Sequence, residues 1–184
     1  MMNNIFKGKN GPLLIAEIGG NHEGDFEYAK RLVELALQTE VDVVKLHVYY
    51  PETLVNKLID PSRFNHFKKF TLKKSQHIEL AEMCLRYNKK YLASVWDIDA
   101  FTWIDKYSDF YKVGSGDLTS LTLINEIINK RKPIILSTGL STFEEIDNII
   151  KYIISKNSIY DDPNMLAVLQ CTSMYPIPEN EVNL

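Results

Sequence analysis

The chain has 184 residues, of which 45% are hydrophobic and 24% are charged, a composition that suffices for a packed core and excludes a disordered or low-complexity chain. Its formal net charge of −3 gives no basic footprint, so we expect no nucleic-acid partner. The polar beginning of the sequence and its short apolar runs predict neither a signal peptide nor a membrane span, and therefore a cytoplasmic protein.

Six short apolar runs dominate the pattern, each ending in charged, hydroxyl or glycine residues. Continuous apolar runs are typical of parallel strands buried on both faces, and their alternation with helix-like segments is typical of a βα-repeat protein. The polar groups would then gather at the carboxyl ends of the strands, where (β/α) barrels build their active sites. The predicted strands are Leu13–Glu17, Val43–His47, Tyr91–Ser94, Phe110–Ser115, Pro133–Thr138 and Leu166–Ser173.

Helical periodicity predicts the segments between these strands. Apolar residues recur at helical spacing from Phe26 to Leu37, and Ser141–Glu144 is a capping-box pattern that opens a helix with Phe143 facing inward. Further helices are predicted around Ile78–Leu85, at Ala100–Tyr107 and at Leu121–Lys130.

The stretch Tyr50–Phe70 is rich in charge and carries two prolines. We predict that it is a long insertion after the second strand that helps to shape a substrate site, and that it takes part in choosing the substrate. Cys84 and Cys171, on a predicted helix face and inside a predicted strand, are expected to be buried free thiols.

The length of the chain limits how much of a barrel it can form. A complete (β/α)₈ barrel usually takes roughly 250 residues, and only about six strand–helix units are present. The sequence therefore predicts an α/β protein of the TIM (β/α)₈-barrel type, truncated after about six units, with residues 1–184 forming one partial catalytic domain. Unpaired edge strands and exposed apolar helix faces would favour a homo-oligomer or a partner chain that completes the barrel.

Polar side chains follow the first two predicted strands. Glu17 lies at the rim of the first strand, either as a substrate contact or as half of a salt bridge. Lys45 and His47 are two residues apart, so both leave the second strand on one face. A lysine with apolar neighbours pairs with Glu17 or holds an anion, and the pattern is equally consistent with a structural and a catalytic His47.

The later strands end in a second lysine and in hydroxyl residues. Lys112 precedes a Gly-Ser-Gly turn that contains Ser115, where small residues let backbone amides approach a ligand. Ser137 and Ser173 follow the next two strands, and their hydroxyls suit phosphate oxygens. Two cations, several hydroxyls and one carboxylate converging on one mouth predict a site for a small, anionic, oxygen-rich substrate.

Four motifs occur in a fixed order, namely Ala16–Gly24, Lys112–Asp117, Leu136–Gly139 and Cys171–Pro176. In this order and spacing the chain resembles the N-acetylneuraminate (sialic acid) synthase family, which includes legionaminate and pseudaminate synthases and related spore-coat polysaccharide enzymes. The resemblance runs from Pro12 to Leu184 and implies the catalytic barrel domain, without the C-terminal antifreeze-like domain of the family.

The resemblance implies a condensation of phosphoenolpyruvate with an N-acetylated amino-sugar aldehyde of the N-acetylmannosamine type. The products would be a nine-carbon 2-keto acid and phosphate, with Mn²⁺ or Mg²⁺ as cofactor. The enol carbon would attack the metal-polarised aldehyde, water would add to the oxocarbenium centre, and phosphate would leave, with electrostatics carrying most of the effect.

By the same resemblance, Glu17 corresponds to the carboxylate at the reacting centre of the family. The groups that correspond to its phosphoenolpyruvate-binding residues are Lys45, Lys112, Ser115, Ser137, Ser173 and Tyr175. Together with the strand-end pattern, this predicts catalytic roles for Glu17, Lys45, His47 and Lys112, and substrate binding by Ser94, Ser115, Asp117, Ser137, Ser173 and Tyr175. The position best matching a metal ligand of the family is Asn180, flanked by Glu179 and Glu181, whereas a histidine ligand of the family lies outside this sequence.

Two positions depart from the pattern of the family. His47 stands where the family usually has a glutamine, and an imidazole can still form hydrogen bonds. Val95 replaces a threonine that helps to hold phosphate, so a neighbouring hydroxyl or water would have to substitute.

Two other functions stay open. Lys45 or Lys112 would serve a Schiff-base aldolase if desolvation left it as a free amine, although two lysines among many hydroxyls suit phosphate better than an imine. The second alternative is a truncated or degenerate synthase that binds anions or assembles with a partner without turnover, which the short chain and Val95 favour.

Overall fold

The computed structural model describes residues 5–183, which form two compact units. The N-terminal unit is Phe6–Asp109, and the C-terminal unit begins at Phe110. Each unit contains three parallel strands alternating with helices, the (β/α) arrangement that the apolar runs predict.

The N-terminal unit opens with a small antiparallel pair, β1 (Lys7–Gly8) and β2 (Gly11–Pro12). Three parallel strands follow, β3 (Ile15–Gly19), β4 (Val43–Val48) and β5 (Lys90–Val95), with β4 hydrogen-bonded to both others. β4 and β5 are buried almost throughout, which is why they appear in the sequence as continuous apolar runs without alternation.

Five helices belong to this unit. The bounds are α1 (Phe26–Leu37), α2 (Pro51–Leu54), α3 (Pro61–Phe70), α4 (Lys74–Arg86) and α5 (Phe101–Ile104), the last continued by a 3₁₀ turn at Asp105–Tyr107. The carboxylates of Asp25 and Asp60 accept backbone N–H groups at the start of α1 and α3, which satisfies donors that have no partner within the helix.

The C-terminal unit contains β6 (Tyr111–Val113), α6 (Leu121–Lys130), β7 (Ile134–Ser137), α7 (Phe143–Lys156) and β8 (Leu166–Leu169). β7 lies between β6 and β8 and pairs with both in parallel. Its residues are all buried, whereas Val168 of β8 keeps 45% of its surface exposed. Short 3₁₀ turns occur at Ser115–Asp117, Ser158–Asp161 and Glu179–Glu181.

Most predicted elements are confirmed, and the differences have physical causes. The segment Tyr50–Phe70 is not one long loop: it contains α2 and α3, each begun by a proline at its first turn, where a proline has no N–H to lose. The sixth strand ends at Leu169 rather than Ser173, so Cys171 lies in a loop and not inside a strand. Both cysteines are free thiols, as expected; Cys84 is buried, whereas Cys171 is only partly buried because its segment is a loop.

Two apolar residues at helical spacing are exposed and do not face the core. Phe143 is 93% exposed in the first turn of α7, ahead of the buried Ile149 and Ile153, and the capping box is Thr142–Glu145, one residue later than predicted. Leu85 is exposed on α4, whose buried face is formed by His77, Leu80, Ala81, Met83 and Cys84. Within residues 5–183, no helix is long and apolar enough to cross a membrane.

Candidate active site

An ion pair at the ends of β3 and β4 forms the polar centre of the N-terminal unit. The strand register places Glu17 opposite Lys45, and Lys45 Nζ donates to Glu17 Oε2 at 2.5 Å. Lys45 is 5% exposed, whereas the Glu17 side chain is 52% exposed. A buried ammonium needs such a partner, so the pairing considered from the sequence is confirmed.

His47 lies on the other side of the same carboxylate. Its Nε2 atom is 3.6 Å from Glu17 Oε1, and the β4–β5 register places it opposite the buried Ser94. Lys45 and His47 thus leave β4 on one face, as their spacing predicts. Glu17 can accept from both groups through its two carboxylate oxygens.

Gly19 makes room for this arrangement. Its φ of +55° lies in the left-handed region, where a side chain is disfavoured. A Cβ at this position would lie 3.1 Å from Glu17 Oε1 and 3.2 Å from His47 Cε1. The strand pairing shifts register between Glu17 and Gly19, which ends the regular strand directly beside the ion pair.

An aromatic pocket adjoins His47. The cavity of about 260 Å³ is also lined by Gly20 and Asn21, and its rings come from β4, from the residues that directly follow β4 and β5, and from α3. We call it the aromatic pocket; its ring-bearing residues are His47, Tyr49, His66, Phe67, Phe70 and Trp96.

The rings of this pocket pack in ordered pairs. Tyr49 and Trp96 are stacked with centroids 5.2 Å apart, and Phe67 meets Tyr49 edge-on at 5.2 Å. His66 stacks on Phe70 at 4.5 Å, and His47 lies 5.0 Å from Trp96. Burial raises the pKa of Tyr49 to about 12, so its phenol remains a protonated donor throughout the physiological range.

The polar centre of the C-terminal unit is built around Lys112. Its Nζ atom donates to Ser137 Oγ at 2.5 Å and to the Val113 carbonyl at 2.9 Å. Lys112 is partly buried on β6, and Ser137 is the last residue of the neighbouring β7. An ammonium and a hydroxyl therefore meet at the carboxyl ends of two paired strands.

Three loops converge beside this pair at Gly139. Its backbone N–H donates to Ser115 Oγ at 2.9 Å, and Thr138 Oγ1 donates to the Leu169 carbonyl at 2.8 Å. A Cβ on Gly139 would collide with Ser173 Oγ and lie 2.9 Å from Ser115 Oγ. Only a residue without a side chain lets these two hydroxyls approach so closely.

Two residues of the predicted substrate-binding set occupy different surroundings. Asp117 ends the 3₁₀ turn after β6, where its Oδ2 atom would be 2.9 Å from a Cβ on Gly114, so the carboxylate folds back over the turn. Tyr175 is 98% exposed, and the structure does not bring it into the hydroxyl cluster. The two lysines belong to different units, and their convergence on one substrate stays a prediction.

The predicted metal-binding segment does not supply a complete ligand set. Glu179, Asn180 and Glu181 form an exposed 3₁₀ turn, tied back by Thr172 Oγ1, which donates to the Glu181 carbonyl at 2.8 Å. Among residues 5–183, no group of three or more His, Cys, Asp and Glu side chains is placed to hold a metal ion. The described residues alone therefore do not fit a divalent metal centre.

Sequence reasoning missed the aromatic pocket and the role of the Gly139 amide. Phe64, Phe67 and Phe70 recur at every third position, which is a helical signal, but the prolines and charges around them led to a loop assignment. Trp96 and Tyr49 directly follow the ends of their strands, which is where site residues of this fold are expected.

The fold and these strand-end clusters define an α/β protein of the TIM-barrel class. The crystal structure of an N-acetylneuraminic acid synthetase from Leptospira borgpetersenii in complex with citrate matches with a TM-score of 0.82 and 25% identity, covering 93% of this chain and 57% of that one. A putative spore coat polysaccharide biosynthesis protein E from Chromobacterium violaceum has the same fold, with a TM-score of 0.79 at 21% identity over 94% of this chain and 52% of that one.

The profile of the NeuB family matches residues 32–184, and the chain belongs to this family. The N,N'-diacetyllegionaminic acid synthase of Campylobacter jejuni is 31% identical over 94% of this chain and 54% of its own length. The human N-acetylneuraminate-9-phosphate synthase is 28% identical over 96% of this chain and 51% of its own length. The chain spans about half the length of the curated relatives that it matches.

Proposed function

We propose that this chain takes part in a sialic acid synthase-like condensation in the cytoplasm, joining phosphoenolpyruvate to an N-acetylated amino-sugar aldehyde. Membership of the NeuB family supports the reaction type, and the names of the relatives, a diacetyllegionaminic acid synthase and an N-acetylneuraminate-9-phosphate synthase, support the product class. The structural observation that carries the proposal is the cluster of Lys112, Ser137, Ser115 and the Gly139 amide.

This cluster has the chemistry of an anion site. Lys112 supplies a positive charge, and the hydroxyls of Ser115 and Ser137 can rotate to donate to phosphate or carboxylate oxygens. Ser173 adds a third hydroxyl beside Gly139. In the proposed reaction these groups hold phosphoenolpyruvate and stabilise the charge on the departing phosphate.

The bonds of the proposed reaction balance without an oxidant or reductant. The methylene carbon of phosphoenolpyruvate bonds to the aldehyde carbon, whose oxygen takes up a proton and becomes a hydroxyl. Water then adds to the former enol carbon and loses a proton, and the bond from that carbon to the bridging oxygen breaks to release phosphate. The second carbon is left as the ketone of a 2-keto acid.

In this proposal Glu17, Lys45 and His47 act at the reacting centre. Glu17 accepts from Lys45 and lies beside His47, so it can hold or pass a proton between the aldehyde oxygen and the imidazole. The exposed fraction of Glu17 leaves its carboxylate accessible from solvent, while Lys45 remains buried beneath it. Ser94, Asp117 and Tyr175 stay in the proposal as substrate contacts.

A divalent metal, Mn²⁺ or Mg²⁺, belongs to the proposal on the family resemblance alone. When bound, such a metal would polarise the aldehyde carbonyl. The 3₁₀ turn Glu179–Glu181 offers two exposed carboxylates, which are part of a ligand set. No step assigned above to this chain's residues depends on it.

Assembly with a second copy or another chain belongs to the same proposal. Val168 and Leu169 of β8 expose apolar surface that a packed neighbour would cover. Size-exclusion chromatography at several concentrations tests this point, and a monomer at every concentration would contradict it.

The experiment that tests the reaction follows phosphate release from phosphoenolpyruvate carrying a heavy-oxygen label at the bridging position. The assay contains N-acetylmannosamine and Mn²⁺. Cleavage of the C–O bond sends the label into phosphate, and we expect this outcome to depend on the sugar. Lys112→Ala should abolish release, whereas Lys130→Ala, which removes a partly exposed lysine at the end of α6, should leave it unchanged.

Other outcomes of this assay would identify a different function. Release of phosphate without the label would indicate P–O cleavage and contradict the proposal. Borohydride-trapped adducts on Lys45 or Lys112 would favour the aldolase. Saturable phosphoenolpyruvate binding without phosphate release would favour the non-catalytic alternative.

A further inference from the structure

One segment of the N-terminal unit differs in charge from the rest of the chain. Residues 57–74 contain six cations and one acid, although the formal net charge of the whole chain is −3. The acid is Asp60, whose carboxylate accepts the Arg63 backbone N–H at 2.8 Å at the start of α3. We call residues 57–74 the basic segment; its cations are Lys57, Arg63, Lys68, Lys69, Lys73 and Lys74, all of them exposed.

Neighbouring carboxylates do not neutralise these cations. Among residues 5–183, none of the six forms a salt bridge. Four of them lie over aromatic rings instead, as Lys57 does at 5.5 Å from the centroid of Phe64 and Lys69 at 5.4 Å from that of Phe70. Such a side chain covers apolar surface with its stem and keeps its full charge. The basic segment therefore presents uncompensated positive charge to solvent.

Two aliphatic side chains project from the same segment. Leu58 and Ile59, which we call the aliphatic tip, are 94% and 82% exposed in the turn between α2 and α3. Asn56 Oδ1 accepts the Leu58 N–H at 3.0 Å, and the Asn56 carbonyl accepts the N–H groups of Ile59 and Asp60 at 3.1 and 2.9 Å. The turn is thus a defined structure that holds two adjacent apolar side chains in water, where a partner would cover them.

The charge and shape of this surface limit the kind of partner. A second copy docked through the same surface would bring six cations against six, which is unfavourable. An acidic protein would match the charge, but a projecting tip would also require a pocket of matching shape on that protein. A fluid bilayer needs no such pocket: anionic headgroups attract the cations, and the tip enters the boundary with the acyl chains.

We propose that the basic segment and the aliphatic tip dock this chain on the surface of an anionic lipid bilayer. Leu58 and Ile59 enter the headgroup boundary, Lys57 beside them contacts lipid phosphate, and the remaining cations add attraction over a longer range. The contact is peripheral, because α3 has ten residues and carries three cations. Cytoplasmic leaflets carry anionic lipids, so this contact agrees with the proposed location. The inference does not depend on the proposed reaction.

The test measures co-sedimentation of the whole chain with lipid vesicles, without any substrate. One set of vesicles is phosphatidylcholine alone, and the other contains about 30% phosphatidylglycerol as the anionic lipid. We expect saturable binding to the anionic vesicles only. Raising the salt concentration from about 0.05 M to about 0.5 M should weaken this binding, because salt screens exposed charges.

Substitutions at the aliphatic tip test its insertion. The double variant Leu58→Gln with Ile59→Gln should bind the anionic vesicles at least about tenfold more weakly, since even partial burial of two such side chains contributes that much. The matched control is Leu140→Gln, which changes a leucine that is 91% exposed in the C-terminal unit and should bind as the unmodified chain does. All three side chains are exposed, so circular dichroism should show an unchanged fold.

Substitutions of the cations test the attraction to headgroups. The double variant Lys68→Gln with Lys69→Gln should weaken binding at low salt by at least about tenfold, because each cation near an anionic surface contributes about fivefold. The control with the same change in charge is Lys151→Gln with Lys156→Gln, which removes two exposed lysines from α7. This control should bind nearly as the unmodified chain does.

The outcomes separate the bilayer from other partners and from the reaction. Equal binding to both kinds of vesicle, or binding to neither, would overturn the docking surface. Equal losses in the variants and in their controls would overturn it as well. Capture of the chain by immobilised polyglutamate without binding to vesicles would identify an acidic protein as the partner instead of a bilayer. Selective vesicle binding that both double variants weaken would support the docking surface even if no phosphate is released in the reaction assay.

Discussion

The polar clusters of the two units are positioned in different ways. In the N-terminal unit, Glu17, Lys45 and His47 stand on strands, and the β3–β4 register fixes which residues face each other. In the C-terminal unit, Ser115 and Ser173 lie on turns and loops that meet at the Gly139 amide. Strand register thus determines the first cluster, whereas a close approach of loops determines the second.

The two clusters should therefore respond to different kinds of substitution. Ladder hydrogen bonds hold the backbone of a strand-borne cluster in place. Such a cluster is therefore disturbed mainly by a substitution that removes one of its paired charges. A loop-borne cluster is disturbed when one small residue is enlarged, because the added Cβ would collide with the side chains that approach it. Substitutions in the two units should therefore act through charge in one and through steric contact in the other.

Acidification should affect the N-terminal unit most, because all four histidines lie in it. Burial lowers the pKa of His77 from 6.5 to about 3, and His22 nearby adds to this effect. Because the folded pKa lies below the unfolded one, the contribution to stability is complete above pH 6.5 and is lost as the pH falls toward 3. The slope is at most about 1.4 kcal/mol per pH unit.

Urea unfolding followed by tryptophan fluorescence measures this effect, since both tryptophans also lie in the N-terminal unit. Stability should be lower at about pH 4.5 than at about pH 7.5, and His77→Gln should reduce the difference. The matched control is His66→Gln, which changes an exposed histidine and should keep the full dependence. Equal pH dependence in His77→Gln and the unmodified chain would refute the assignment.

Removal of one partner from the buried ion pair should have the next largest effect. Glu17→Gln leaves the Lys45 ammonium buried without its carboxylate, at an expected cost of about 2 kcal/mol after allowance for the exposure of Glu17. Lys45→Met should cost less, because it removes the buried charge and leaves Glu17 in contact with water. Chemical denaturation gives both values.

The control for the ion pair is Glu40→Gln, which breaks a pair with Lys9 on the surface. Exposed pairs contribute only about 0–1 kcal/mol, so this variant should be close to neutral. A Glu17→Gln chain as stable as the Glu40→Gln chain would show that Lys45 does not depend on Glu17.

In the C-terminal unit, a single methyl group should disturb the hydroxyl cluster. Gly139→Ala places a Cβ against Ser173 and Ser115 and should cost about 1–2 kcal/mol, together with weaker phosphoenolpyruvate binding. Gly116→Ala is the control, because a Cβ at that position meets nothing within 4 Å. Thermal unfolding measures the stability of both variants, and calorimetry measures their phosphoenolpyruvate binding. Equal stability and equal binding in the two variants would contradict a cluster that depends on the close approach of loops at Gly139.

The smallest effect concerns the start of α7. Thr142 Oγ1 accepts the Glu145 N–H at 3.2 Å, and Glu145 Oε2 accepts the Thr142 N–H at 2.8 Å. Thr142→Ala should therefore cost about 1 kcal/mol. Ser141→Ala should change stability by less than about 0.5 kcal/mol. A larger loss of stability in Ser141→Ala than in Thr142→Ala would instead support the Ser141–Glu144 capping box predicted from the sequence.

Much of the strand and helix order is predictable because the apolar runs and helical spacings are strong. The pairing of Lys45 with Glu17 was also within reach, since adjacent parallel strands align residues at their carboxyl ends. The capping box was displaced by one residue because Ser141 and Thr142 are both good cap residues and each has a glutamate three positions later.

The aromatic pocket and the Gly139 contact were not predictable, because both depend on distances between loops far apart in sequence. Thr138 and Gly139 looked like ordinary turn residues, and nothing local indicates that Ser173 would approach them. Phe143 shows the opposite error, since an apolar residue at helical spacing was assigned to the core although its first-turn position leaves it in solvent.

The central claim is that Lys112 and its neighbouring hydroxyls bind phosphoenolpyruvate. Phosphorus NMR of phosphoenolpyruvate titrated with the unmodified chain, with Lys112→Met and with Lys130→Met tests it most directly. The account predicts a saturable shift of the phosphate signal that is lost in Lys112→Met and retained in Lys130→Met. An identical shift in all three proteins, or no shift in any, would contradict it.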